Sequence, residues 1–372
     1  MNFAPKNLSQ QEKFDYLRLI RTENIGSITF FKLLNHFDTA KEALNNIEDM
    51  AKKGGKKSFK KANSKAIEKE LKLAEKNNIK LVAFPEPEYP PLLRQIHDPP
   101  PILCVMGDIN ILRKKSFAIV GSRNASMLGK QTALQIAAKV GENSISIVSG
   151  MAKGIDTKAH EGSLATGTVA VLGGGVDIIY PKENAQLYER ICQSGAIISE
   201  APIGTKPIAK HFPRRNRIIS GMCRGILVIE AARASGSLIT ANMAMEQGRE
   251  VFAIPGHPSD ERSRGGNRLI KEGAILVEDV DDILAIINKL STEVHSMPPS
   301  TFKKKSAHRV SEEEIHHLRS KVLELLSPSP TDVDAILREL ACPYSFLAHI
   351  LLELELAGKL VHYPGNKVAI LN

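Results

Sequence analysis

Phe117-Ala118-Ile119-Val120-Gly121-Ser122-Arg123-Asn124 decides the fold: four apolar residues, a turn of glycine, hydroxyl, cation and amide, then an amphipathic stretch from about Met127. An apolar run this short, closed by glycine and followed by helical spacing, reads as a strand buried on both faces and leading into a helix. Similar runs at 145–148, 169–172, 196–198, 226–229, 251–254 and 274–277 alternate with helical stretches. Strands and helices in this alternation predict an α/β fold, a doubly wound parallel sheet with helices on both faces.

Outward from that domain the pattern changes on both sides. Toward the N-terminus, helices are expected over 12–21, 28–37 and 39–50, with Asn24-Ile25-Gly26 as a turn, in a small helical domain over 1–76. Within it lies a lysine run, Lys52-Lys53-Gly54-Gly55-Lys56-Lys57 with Lys60-Lys61, which reads as a solvated loop or as an extension of a nucleic-acid track. Seven prolines between Ile79 and Gly107 exclude a long helix and favour extended segments and turns, a connector opening the domain over 77–290. Ser, Thr, Pro and Lys303-Lys304-Lys305 over 291–310 read as a linker. Over 311–372, helices at 312–326, 331–340 and 344–357 precede a glycine stop at Gly358 and an alternating two-strand tail, the order of a winged helix.

The chain has 372 residues, enough for two or three domains, and its 42% hydrophobic and 24% charged content excludes wholesale disorder. No apolar run is long enough to span a bilayer, and the start Met1-Asn2-Phe3-Ala4-Pro5-Lys6 has no apolar signal core, so a cytoplasmic protein without membrane contact is expected. Cys104, Cys192, Cys223 and Cys342 are scattered without metal-ligand spacing. Fifty Lys and Arg against 41 Asp and Glu give +9, which suits a polyanionic partner.

In an open parallel sheet the ligand lies beyond the carboxyl ends of the strands. The residues there are glycine, hydroxyl or basic: Gly121, Ser122 and Arg123; Gly150 and Lys153; Gly173-Gly174-Gly175; and Ser235, Gly236 and Ser237 at a fourth corner. Glycine admits a ligand close to the backbone, and amides at a helix start favour phosphate oxygens. A dinucleotide cofactor is not expected, because Arg123 replaces the second fingerprint glycine and the next strand ends in Ser149-Gly150 rather than a ribose-binding acid. No nucleophile elbow, Walker lysine motif or zinc-binding helix occurs, so no catalytic residue, metal or cofactor is assigned. Asp156 and His160, four apart on a helix, read as a structural hydrogen bond ahead of an acid/base pair.

The densest charge runs from Lys206 through Lys210, His211, Phe212, Arg214, Arg215, Asn216 and Arg217, with no Asp or Glu between Ala201 and Ile229. Cations that bind phosphates around an aromatic that stacks on an unpaired base hold single strands without reading sequence. On this reading Arg123, Lys153, Lys210, Arg215 and Arg217 contact phosphate and Phe212 is the stacking platform; the alternative is a solvated basic loop with Phe212 in the core. The winged-helix region departs from a DNA reader. From Glu312 to Gly358 nine acidic residues face three basic ones, and 344–357 carries Glu353 and Glu355 with no Lys or Arg, so a protein-contact role is expected.

Together Asp98-Pro99-Pro100, Val120-Gly121-Ser122-Arg123, Ser149-Gly150-Met151-Ala152-Lys153-Gly154-Ile155-Asp156, His160, Leu172-Gly173-Gly174-Gly175-Val176-Asp177, Tyr180-Pro181, Ser199-Glu200, Phe212-Pro213-Arg214-Arg215-Asn216-Arg217-Ile218-Ile219-Ser220-Gly221, Ser235-Gly236-Ser237-Leu238 and Ile254-Pro255-Gly256 resemble the DprA (Smf) family of DNA-processing proteins. The resemblance is dense from about Phe84 to Leu284. It implies an extended Rossmann-like domain that binds single-stranded DNA without turnover, a sterile-alpha-motif-like N-terminal domain, homodimerisation, and loading of a RecA-type recombinase during natural transformation. By the same resemblance the DNA-holding positions are Gly121, Ser122, Arg123, Lys153 and the segment 210–217. The enzymatic rival is a related nucleotide hydrolase, whose Pro-Gly-Gly-x-Gly-Thr signature is replaced here by Glu230-Ala231-Ala232-Arg233-Ala234-Ser235-Gly236. A dinucleotide-sensing regulator is the third reading.

Overall fold

A computed structural model of the chain describes residues 5–292, 312–363 and 365–371, so the expected linker lies, beyond its first two positions, outside the described residues. Among the described residues two compact units form, one from 5–8 and 69–292, the other from 9–68 and 312–371.

The chain opens with helices α1 (Gln10–Ile20), α2 (Ser27–Phe37), α3 (Ala40–Lys53) and α4 (Ser64–Lys76). Ser9 and Glu12 close a capping box at the start of α1, and Thr39 caps α3 by accepting from the Glu42 amide. The lysine run is largely answered locally: Lys56 pairs with Glu23 at 2.7 Å, while Lys52 and Lys61 share Glu48 at 3.3 Å each.

Next come β1 (Lys80–Ala83), β2 (Ile102–Gly107), β3 (Ser116–Gly121), α5 (Met127–Glu142), β4 (Ser146–Ser149), α6 (Ile155–Ser163), β5 (Thr168–Val171), α7 (Ala185–Ser194), β6 (Ala196–Ser199), α8 (His211–Met222), β7 (Gly225–Ile229), α9 (Gly236–Glu246), β8 (Glu250–Ala253), α10 (Arg264–Lys271), β9 (Ile275–Leu276) and α11 (Val280–Thr292). All seven expected strands are present in one nine-stranded sheet, ordered β1-β2-β6-β5-β4-β3-β7-β8-β9. Every strand from β3 to β9 pairs in parallel with its neighbours in that set. The proline-dense segment is more than a connector: β1 and β2 join the β6 edge antiparallel, so the sheet is mixed. Every residue of β4, β5, β6 and β7 is buried, as strands covered by helices on both faces must be. One core cluster includes Phe117, Ile119, Ile147, Leu227 and Phe252, with the Phe117 and Phe252 rings edge to face at 5.5 Å.

The second unit continues with α12 (Glu312–Leu325), β10 (Thr331–Asp332), α13 (Val333–Leu340), α14 (Tyr344–Leu356), β11 (Leu360–Tyr363) and β12 (Lys367–Ile370). This is the expected winged-helix order with one added strand, β10, pairing β12. Gly358 has φ +72° after α14, the left-handed stop that glycine supplies without steric cost. Among the described residues no helix is long and apolar enough to cross a membrane, and no cluster of His, Cys, Asp and Glu could hold a metal ion.

Candidate nucleic-acid interface

The strand order reverses at the β3–β7 boundary: from β3 the chain runs outward through β4, β5 and β6, then returns to β7 on the opposite side of β3. Crevices form where connections leave a sheet in opposite directions. A cleft of about 750 Å³ lies there, lined by Gly121, Ser122, Arg123 and Asn124 after β3, Ala152 and Asp156 after β4, and Ser235, Gly236 and Ser237 after β7. Helix α8 adds Phe212, Arg215 and Asn216. A pocket of about 80 Å³ shares Arg123, Tyr180, Phe212 and Arg215 with it and brings in Gly150, Lys153, Gly173 and Gly174.

The backbone corners differ from expectation, because several of their amides already serve the fold. The Ser126 amide at the start of α5 donates to Glu230 at 2.8 Å, and the Ser126 hydroxyl bonds the same carboxylate. A Cβ at Gly129 would meet that carboxylate, so glycine there leaves room for it. At the second corner the Gly150 and Ala152 amides donate to Asp156 Oδ2 at 3.1 and 3.2 Å. At the third, Gly175 donates to Thr205 O and Gly174 O accepts from Ser199. Gly121 is needed for packing, since a Cβ there would collide with the Ile229 carbonyl and Ile155. Gly236, exposed at the start of α9, has open space around its Cβ position.

Helix α8 separates its cations into two kinds. Arg215 and Arg217 are 6% exposed, which corrects the expectation that both are phosphate contacts. Arg215 donates to the carbonyls of Gly150, at 2.6 Å, and Val171, and its Nε to Asn216. Burial pulls its pKa down to about 10 against the opposing pull of Asp156, while burial pushes the Asp156 carboxyl up against the pull of Arg215. Arg217 is held by Asp98 at 3.0 Å and Glu200 at 2.5 Å, carboxylates supplied from outside the acid-free stretch. Asn216 is buried as well, 3.4 Å from the Gly236 carbonyl.

The remaining cations face solvent. Lys206 and Lys210 are exposed and carry no ion pair among the described residues; Arg214 is exposed beside Glu200 at 3.3 Å, and Lys153 pairs with Glu183 at 2.5 Å. Helix α8 has no acid in its first turn, with Lys210 at its cap and Arg214 in that turn. Cations beside the positive end of a helix dipole are locally unfavourable by roughly 0.3–1 kcal/mol each, so an arriving phosphate relieves a standing repulsion.

Aromatic surface joins this charge. The Arg123 guanidinium lies over the Phe212 ring at 5.4 Å, and Phe212 meets Tyr180 with centroids 5.5 Å apart. Phe212 is therefore neither core nor isolated. Tyr180, 46% exposed, is the residue that sequence reasoning missed as a site; its signal was an aromatic shortly after the Gly173-Gly174-Gly175 corner.

Asp156 and His160 take separate partners. His160 Nδ1 lies 2.7 Å from Thr168 Oγ1, and that hydroxyl donates to Ile147 O, so Nδ1 carries the proton, and buried Nε2 has no hydrogen-bond partner among the described residues. Burial, aided by Arg215, lowers the His160 pKa to about 3. A group protonated below about 6.5 when unfolded and near 3 when folded costs stability as pH falls through that window. Urea unfolding between pH 6.5 and 4.5 is expected to show wild type losing about 2 kcal/mol more than His160→Asn. Equal losses would refute a buried neutral imidazole.

Comparison with known proteins agrees with this architecture. The family model described as DNA recombination-mediator protein A matches residues 80–288, a DprA-like N-terminal HHH domain matches 10–72, and a DprA winged helix domain matches 307–366. Protein Smf of Escherichia coli is 38% identical over 309 residues, 82% of this chain and 81% of that protein. DNA processing protein DprA of Streptococcus pneumoniae is 47% identical over 53% of this chain and 70% of its own length. The X-ray structure of DprA from Streptococcus pneumoniae superposes with TM-score 0.63 at 35% identity, over 76% of this chain and 99% of that one. A structure of DNA processing protein A from Helicobacter pylori, described for its single-stranded DNA binding mode, gives TM-score 0.51 at 29% identity over 55% and 94%. A shared domain order, a match across more than half the chain and relatives of this similarity make the chain a member of the DNA recombination-mediator protein A (DprA/Smf) family.

Proposed function

We propose that the chain binds single-stranded DNA without turnover, protects incoming strands and passes them to a RecA-type recombinase during natural transformation, as a cytoplasmic homodimer. The observation that carries this reading is the Arg123–Phe212–Tyr180 stack at the crevice where the strand order reverses, with Lys153 lining the adjoining pocket, Lys210 capping the helix that carries Phe212 and Lys206 on the loop leading into that helix. A π-face beside exposed cations suits an unpaired base and its phosphate, and it is indifferent to base identity. The single-stranded DNA binding described for the Helicobacter pylori relative supports the assignment. The contacting residues on this reading are Gly121, Ser122, Arg123, Lys153, Lys206, Lys210, Phe212, Arg214 and Gly236; Gly150, Arg215, Asn216, Arg217 and Ser237, which is as buried as Asn216, shape the site from behind.

Fluorescence anisotropy of a labelled single strand across a salt series, with duplex as competitor, tests the proposal. Single strands are expected to bind more tightly than duplex, and Lys210→Ala to reduce the slope of log K against log salt by about 0.7, one phosphate contact on a single strand. A wild type that ignores the oligonucleotide at low salt, but is stabilised against heat by a mononucleotide, would instead favour the nucleotide-processing reading.

A further inference from the structure

In a winged helix the third helix is normally the one offered to a DNA groove. Here that helix, α14, packs against α2 and α3 of the N-terminal helical region in the same compact unit. Its sequence is apolar around most of its circumference, as two-sided burial requires. Leu347, Ile350, Leu351 and Leu354 fill the winged-helix core, while Leu352 and Leu356, outside that core cluster, are buried too.

The polar contacts across this surface are specific. Glu355 accepts from the Thr29 hydroxyl at 2.7 Å and from Lys32 at 3.0 Å, and His362 Nε2 on β11 lies 3.2 Å from the oxygen that Lys32 reaches. Asn24 donates to the Leu356 carbonyl at 3.0 Å. The His36 and His349 rings lie 4.8 Å apart, and a Cβ at Gly54 would collide with the Glu353 carbonyl, so backbone meets backbone there. Burial pushes the Glu355 carboxyl up, but bonds from His362 and Thr29 and the Lys32 charge outweigh it and hold it at about 2. Glu353, fully buried, is held by Arg319 at 2.7 Å.

We propose that α14 is a protein-docking surface whose partner is the chain's own N-terminal helical domain, so that the intact chain does not offer this helix to duplex DNA. The acidic residues that would repel a duplex are the ones used: Glu355 bonds the partner domain directly, and Glu353 is neutralised from within the winged helix.

Hydrogen exchange on the full-length chain tests this with Glu355→Lys, Lys32→Glu and the double reversal. Each single reversal is expected to speed exchange about tenfold in both α2 and α14, leave β3 to β7 unchanged, and be largely restored by the double reversal. Protection of α13 reports whether Glu355→Lys has damaged the winged helix itself; Lys32→Glu, made on the other partner, reads the docking independently. Unchanged exchange in α14 on Lys32→Glu, or new protection of α14 on adding a short duplex to wild type, would overturn the proposal.

Discussion

Arg123→Ala is expected to weaken single-strand binding by on the order of tenfold and to reduce the salt slope by about 0.7, while thermal stability stays near wild type. The side chain is exposed in the crevice and lies over the face of Phe212, so its loss leaves no buried group stranded. Arg123→Lys separates two contributions. It keeps the charge and hence the salt slope, but replaces the planar guanidinium over the ring with a compact ammonium, so affinity should recover only in part. Phe212→Ala should lose about 1–3 kcal/mol of base stacking with the slope unchanged. A Phe212→Ala variant that lowers the slope instead would show the ring acting through Arg123 rather than on a base.

Much of the fold was legible because a doubly wound sheet writes itself locally. Each strand of the parallel set is a short apolar run ending in glycine, serine or a turn, and the seven expected runs match β3 to β9 within a residue or two at most ends. The two antiparallel strands were harder. Ile102–Gly107 is apolar, but Pro99-Pro100-Pro101 immediately before it points to a turn, and Lys80–Ala83 is too short to show alternation. In the site, Arg123 and Phe212 were legible because they follow a strand and sit in an acid-free stretch. Partners distant in sequence were not. Arg217 looked unpaired until Asp98 and Glu200 met it across the fold, and the start of α5 looked open to phosphate until Glu230, at the end of the neighbouring strand β7, filled it. Local sequence reports charge, whereas burial decides whether a charge is available.

That distinction sets the expected behaviour of Arg215→Ala. Were Arg215 a phosphate contact, its removal would lower affinity and salt slope and leave folding alone. In this structure its guanidinium is enclosed by the Gly150 and Val171 carbonyls and Asn216, near the buried Asp156 carboxylate, and a Cβ on Gly150 would run into it. Truncation leaves two carbonyl acceptors without this donor and the buried Asp156 without a nearby compensating charge, a loss of roughly 3–5 kcal/mol for buried polar groups stranded on one side. Against a typical total of about 5–15 kcal/mol this is a large fraction. For a domain of this size it corresponds to a fall in Tm of about 10 °C, at roughly 2–4 °C per kcal/mol. Calorimetry should therefore show the damage first. The fraction that remains folded should retain the wild-type salt slope, because Arg123, Lys206 and Lys210 still face solvent. A variant that melts like wild type but loses one phosphate contact would mean that Arg215 leaves its carbonyls to meet DNA, and that the crevice rearranges on binding.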